Sequence, residues 1–92
     1  MMTPREVVSD YVEGNPERDV LTIDGFDAAL VGLVYRKTLE PVALYDRGKC
    51  IAVLVEGGMT HEEAEEYFSF NVDDAWVGDG TPAFAIMGGE QD

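Results

Sequence analysis

A Thr-x-x-Glu capping box occurs twice in this chain, at Thr3-Pro4-Arg5-Glu6 and at Thr60-His61-Glu62-Glu63. Each fixes where a helix begins, because the threonine hydroxyl takes the backbone N–H three residues on while the glutamate reaches back to the threonine's own N–H. Pro4 adds a residue suited to the first helical position. Behind the first box, Val7, Val8, Tyr11 and Val12 recur at helical spacing until Gly14-Asn15-Pro16 stops the element, so a helix is predicted over about 4–13. Behind the second box, Ala64, Tyr67, Phe68 and Asn71 align on one side and predict a helix over about 61–71, with Tyr67 and Phe68 in the core.

Between and after these helices the pattern changes. Ala28 to Tyr35 is an unbroken apolar run, Arg36 to Pro41 is a polar break, and Val42-Ala43-Leu44-Tyr45 is apolar again, which reads as a hairpin. Val20, Leu21 and Ile23 are expected to pin the preceding connection to the core. Cys50 to Val55 is ambiguous: Cys50, Ile51, Leu54 and Val55 fit one helical face, whereas the Val and Ile content favours a strand. Gly57-Gly58 ends the element in either case. Gly78-Asp79-Gly80-Thr81-Pro82 is a turn, followed by a last strand at about 82–87. The expected architecture is α+β: a short antiparallel sheet of about three strands, near 28–36, 42–46 and 82–87, packed against two or three helices.

Ninety-two residues with 46% hydrophobic content suffice for one domain, residues 1–92, with an ordinary apolar core. The single cysteine, Cys50, excludes an internal disulfide and points to a reducing compartment. No stretch approaches the roughly 20 apolar residues that span a bilayer, and the N-terminus opens on a capped helix rather than a basic, then apolar, leader. A cytoplasmic location without membrane association is expected.

Charge is distributed unevenly. The chain carries 19 acidic and 6 basic residues, a net of −13. Residues 1–49 hold 9 acids and all 6 bases, whereas residues 50–92 hold 10 acids and no Lys or Arg. Such a surface repels nucleic acid and anionic lipid and attracts basic proteins. Direct nucleic-acid binding is therefore disfavoured.

The segments Asp24-Gly25-Phe26-Asp27, Tyr45-Asp46, Lys49-Cys50-Ile51 and Gly58-Met59-Thr60 lead into Glu62-Glu63-Ala64-Glu65-Glu66-Tyr67-Phe68-Ser69-Phe70-Asn71-Val72, then Ala75-Trp76-Val77-Gly78, Thr81-Pro82 and Phe84. Together they resemble a family of small, uncharacterised acidic proteins encoded by double-stranded DNA phages and other viruses. The likeness spans about two-thirds of the chain and leaves out the first helix and the tail. It implies a viral origin, hence the cytoplasm of a host cell, and a helix rather than a strand near residues 48–56. It brings no activity and no catalytic residues.

Catalytic and metal-binding patterns are sparse. His61 is the only histidine, so neither a His-based zinc site nor, with one cysteine, a thiolate site can be completed. A Cys50–His61 nucleophile pair sets a cysteine in an apolar run against a histidine at a helix start, and buried, inert cysteine is the usual outcome there. Glu63 with Glu66 would do acid–base work only in a cleft that raises one pKa. Asp73, Asp74 and Asp79 do not follow EF-hand spacing, and Asp79-Gly80-Thr81-Pro82 lacks the lysine and glycine spacing of a phosphate loop. No catalytic residue, metal or cofactor is expected, and the chain reads as a non-enzyme.

The acidic helix is the feature with a functional reading. Glu62 and Glu63 sit in the first turn, where the helix dipole favours negative charge. At about 100° per residue, Glu62, Glu63, Glu65 and Glu66 spread over an arc of about 160° with no base among them. Like-charged neighbours three and four apart cost about 0.2–0.5 kcal/mol each. Three explanations stay open. The first is a nucleic-acid mimic, of the anti-CRISPR kind, that occupies a basic groove of a nucleic-acid-binding host protein through Glu62, Glu63, Glu65, Glu66, Asp73, Asp74 and Asp79. The second is a virion or regulatory subunit, with Trp76 and Phe84 at an oligomer interface, such as a homodimer. The third is adaptation to high salt.

Overall fold

The computed structural model describes residues 2–17, 19–37, 39–73 and 78–87. Helix α1 (Pro4–Gly14) starts at a complete capping box: the Thr3 hydroxyl accepts from Glu6 N at 3.1 Å, and Thr3 N donates to Glu6 Oε1 at 2.8 Å. At its other end the Asn15 side-chain amide donates to Tyr11 O at 2.9 Å, satisfying one of the carbonyls that a helix end leaves unpaired. Val8 is buried, and Val7, Tyr11 and Val12 are half-buried around it. That is the stripe the spacing predicts.

The hairpin follows as strands β1 (Leu30–Arg36) and β2 (Leu39–Asp46), paired antiparallel with Leu33 opposite Ala43. The register slips between Leu30 and Gly32, where Gly32 adopts φ +151°. A side chain disfavours that backbone, so the slip falls at the residue able to accommodate it. Asp46 ends β2 and caps α2 (Arg47–Glu56), its carboxylate accepting from Lys49 N at 3.2 Å. The ambiguous segment is thus a helix, because Asp46 supplies the cap that a strand has no use for. Its inward face is Cys50 and Ile51, joined by half-buried Val53 and Leu54, while Val55 turns outward.

Helix α3 (His61–Tyr67) runs directly into a π-helical turn, Phe68–Asp73. Strand β3 (Ala83–Ala85) completes a three-stranded sheet in the order β1-β2-β3. The fold is α+β, and its sheet is mixed. The expected all-antiparallel pairing is corrected at β3, which runs parallel to β2 with Tyr45 beside Phe84. The 36 intervening residues, 47–82, carry two helices, enough chain to bring β3 back to the same direction.

The core gathers Val8, Phe26, Leu30, Ala43, Tyr45, Ile51 and Phe68. Tyr45, fully buried, turns its hydroxyl to accept from Ile23 N at 2.8 Å, which holds the long connection against the sheet. Ile23 and Val20 pack on the core; Leu21 is largely exposed. Two assignments on the third helix are corrected. Only Ala64 and Phe68, four residues apart, reach the interior, and Tyr67 lies at the stripe's edge with 41% exposure. Asn71 is exposed because the wider π turn carries it off the Ala64–Phe68 line, and its amide donates instead to Tyr67 O at 3.2 Å.

Candidate functional site

Among the described side chains of the second half, most of the acidic ones lie on α3. Its box is complete, with the Thr60 hydroxyl accepting from Glu63 N at 3.1 Å and Thr60 N donating to Glu63 Oε1 at 2.9 Å. Glu63 therefore spends one carboxylate oxygen on the cap. Glu65 lies 3.9 Å from His61 Nε2, one turn away, and gains an ion pair only when that ring is protonated. Glu62, Glu63, Glu65 and Glu66 are all exposed, so the four predicted carboxylates do share one solvent-facing surface.

Beside them lies a shallow groove of about 370 Å³ lined by Met59, Glu63, Glu66, Tyr67, Phe70 and Asn71. Phe70 is 75% exposed. Phe70 is not among the residues the sequence singles out, although the signal is present: it follows buried Phe68 by two positions, which is about 200° in an α-helix and still roughly half a turn in a π turn, and so it faces away from the core. A second groove of about 390 Å³ includes Leu21, Ile23, Asp24, Asn71, Val72 and Phe84. It is predominantly apolar and opens between the 21–24 connection, the π turn and β3.

The remaining predicted carboxylates are placed elsewhere or not described. Asp79 is exposed on the turn closed by Thr81, whose N–H and hydroxyl both donate to Gly78 O. It lines a third groove of about 350 Å³ with Asp19, Glu40 and Arg36, where the Arg36 Nε donates to Glu40 O at 2.9 Å. That groove shares no residue with the one beside α3. Asp73 falls within the π turn, its side chain undescribed, and Asp74 and Trp76 lie outside the described residues.

Cys50 and His61 lie in contrasting surroundings. Cys50 is fully buried, and His61 keeps 73% of its side chain in solvent. Burial, reinforced by the neighbouring Asp46 charge and opposed by Arg47, pushes the Cys50 thiol up to about 11, so the nucleophilic thiolate is suppressed at neutral pH. Among the described residues no three His, Cys, Asp or Glu side chains gather as a metal site, and no helix is long and apolar enough to cross a membrane. No protein-family model matches the chain, and neither a curated protein nor a solved structure shows significant similarity to it.

Proposed function

We propose that the chain is a binding module that occupies the basic groove of a protein which normally holds DNA or RNA, as a nucleic-acid-mimicking inhibitor of the anti-CRISPR kind would. The observation that carries this reading is the α3 surface: four exposed carboxylates on one short helix, with no base among them and an exposed aromatic beside them. Duplex DNA presents about one charge per 1.7 Å of axis, and carboxylates spaced by helical turns offer Lys and Arg side chains a comparable target. The helix keeps its acids although they repel one another, which a partner of opposite charge offsets.

A second reading, association of copies, is supported by Ile86, 87% exposed just after the short strand β3. The two separate in one experiment. A partner that co-purifies with the parent from host extract is titrated with the parent and with the triple variant Glu62→Gln, Glu65→Gln, Glu66→Gln, across a range of salt. Mimicry predicts binding that weakens steeply with salt, competes with DNA, and falls in the triple variant, mostly through the association rate. An unchanged affinity for the triple variant sinks the mimicry reading. A parent that self-associates, and does so equally well after the three replacements, favours the second.

A further inference from the structure

Phe70 and the π turn that presents it open onto more than the acidic face. Asn71 lines both the groove beside α3 and the apolar groove that includes Phe84, so the two adjoin at that one side chain. The π turn creates this junction: Phe68 goes fully inward, Phe70 outward, and Val72 stays half-buried along the second groove. π-helical turns are rare and recur at functional sites.

We infer that the two grooves form one docking track for a polypeptide segment whose apolar centre is flanked on both sides by Lys or Arg. The inference rests on the charge reading above and specifies the partner's chemistry. Its basis is complementarity along the track. Carboxylates belong to both grooves, Glu63 and Glu66 to the one beside α3 and Asp24 to the apolar one, where Phe70 in the first and Val72 and Phe84 in the second supply the apolar surface. Scattered exposed apolar side chains are ordinary on a protein surface, but apolar side chains gathered in two adjoining grooves, each with its own carboxylate, are a recognition feature. A second copy of the chain brings a further −13 to the same acidic rims, and nucleic acid brings phosphates, so both are repelled. A segment with basic flanks is attracted by the rims and held by the apolar centre.

The test uses the full chain, labelled with ¹⁵N, and three synthetic peptides of equal length: Leu and Phe flanked by Arg at both ends, the same centre flanked by Glu, and oligo-arginine matched in charge to the first. The Arg-flanked peptide is expected to bind at least about tenfold more tightly than either other peptide and to shift the amides of Phe70, Asn71, Val72 and Phe84. Phe70→Ser, at a position 75% exposed and so without consequence for melting, is expected to bring its affinity down to that of oligo-arginine. Oligo-arginine binding as tightly as the Arg-flanked peptide overturns the track and leaves the charge reading standing. Equal binding of the Glu-flanked peptide, or shifts that bypass Phe70 and Val72, also overturns it. If neither Arg-containing peptide binds in a salt-dependent way, the charge reading fails as well.

Discussion

The Phe68 ring meets the Phe84 ring edge-on, with centroids 4.9 Å apart and planes at 80°, and this contact ties the acidic helix to the last strand of the sheet. The Arg47 guanidinium lies 5.3 Å from the same Phe68 ring centroid, so the buried phenyl joins α2, the π turn and β3. Phe68→Ala is expected to cost about 3–5 kcal/mol in urea unfolding. Tyr67→Ala, one position away and 41% exposed, should cost much less. Equal losses for the two would mean that the π turn is oriented differently.

The hydroxyl of Tyr45 accepts from the Ile23 amide in a part-buried position, and Tyr45→Phe leaves that donor without its partner. A loss of about 1–3 kcal/mol is expected, together with faster hydrogen exchange at the Ile23 amide. Tyr35→Phe, at a position 82% exposed, serves as the control and should melt like the parent.

Alkali should destabilise the fold through two buried groups. Burial raises the Cys50 thiol from its ordinary 9.0 to about 11. Burial also raises Tyr45 above its ordinary 10.0, with the Asp27 charge adding to the rise, against the opposing effects of the Ile23 hydrogen bond and Arg5. Both groups hold their protons more tightly folded than unfolded, so the unfolded chain releases them first. The Cys50 contribution is complete below pH 9 and is lost as pH rises to about 11; the Tyr45 contribution begins to fall near pH 10. Melting temperature should decline over that window, and Cys50→Ala should flatten the lower part of the slope relative to its own neutral value. A slope unchanged by Cys50→Ala would refute the assignment. At neutral pH a thiol reagent should react with Cys50 only on unfolding.

At the start of α3, stability and charge separate cleanly. Thr60→Ala removes the hydroxyl that caps Glu63 N and is expected to cost about 1 kcal/mol. The triple replacement of Glu62, Glu65 and Glu66 by Gln leaves the box intact and removes like-charge neighbours, so thermal stability should hold or rise slightly, with the gain shrinking in high salt. A clear loss of stability in the triple variant would show that these carboxylates make favourable contacts within the fold.

Local chemistry was legible in the sequence where a residue's role is decided within one turn. Both capping boxes form as spelled out by Thr3–Glu6 and Thr60–Glu63, and the apolar runs on either side of Arg36–Pro41 pair as a hairpin. The direction of β3 was not legible, because it depends on how 36 residues of helix and turn bring the chain back, which no local pattern encodes. Asn71 was misplaced for a related reason: a 3.6-residue period assumes an α-helix, and the chain widens to a π turn at Phe68. Asp46 acts both as the last residue of β2 and as the cap of α2, a double role that periodicity alone left unresolved at Cys50–Val55. Of the site, the four carboxylates of α3 were visible as a helical arc; the apolar groove was not, because Leu21, Ile23 and Phe84 reach it from distant parts of the chain.

The parallel seating of β3 against β2 also sets an order of events during synthesis. Leu44 pairs with Ala83, so the second strand leaves the ribosome 39 residues before its neighbour. The β1–β2 hairpin and α2 can assemble early from nearby contacts, whereas the closing strand must wait for almost the entire described chain to emerge. Until Phe84 arrives, Phe68 lacks the ring it packs against and the apolar groove has no far wall. The nascent protein therefore displays its acidic helix before the apolar groove beside it is complete.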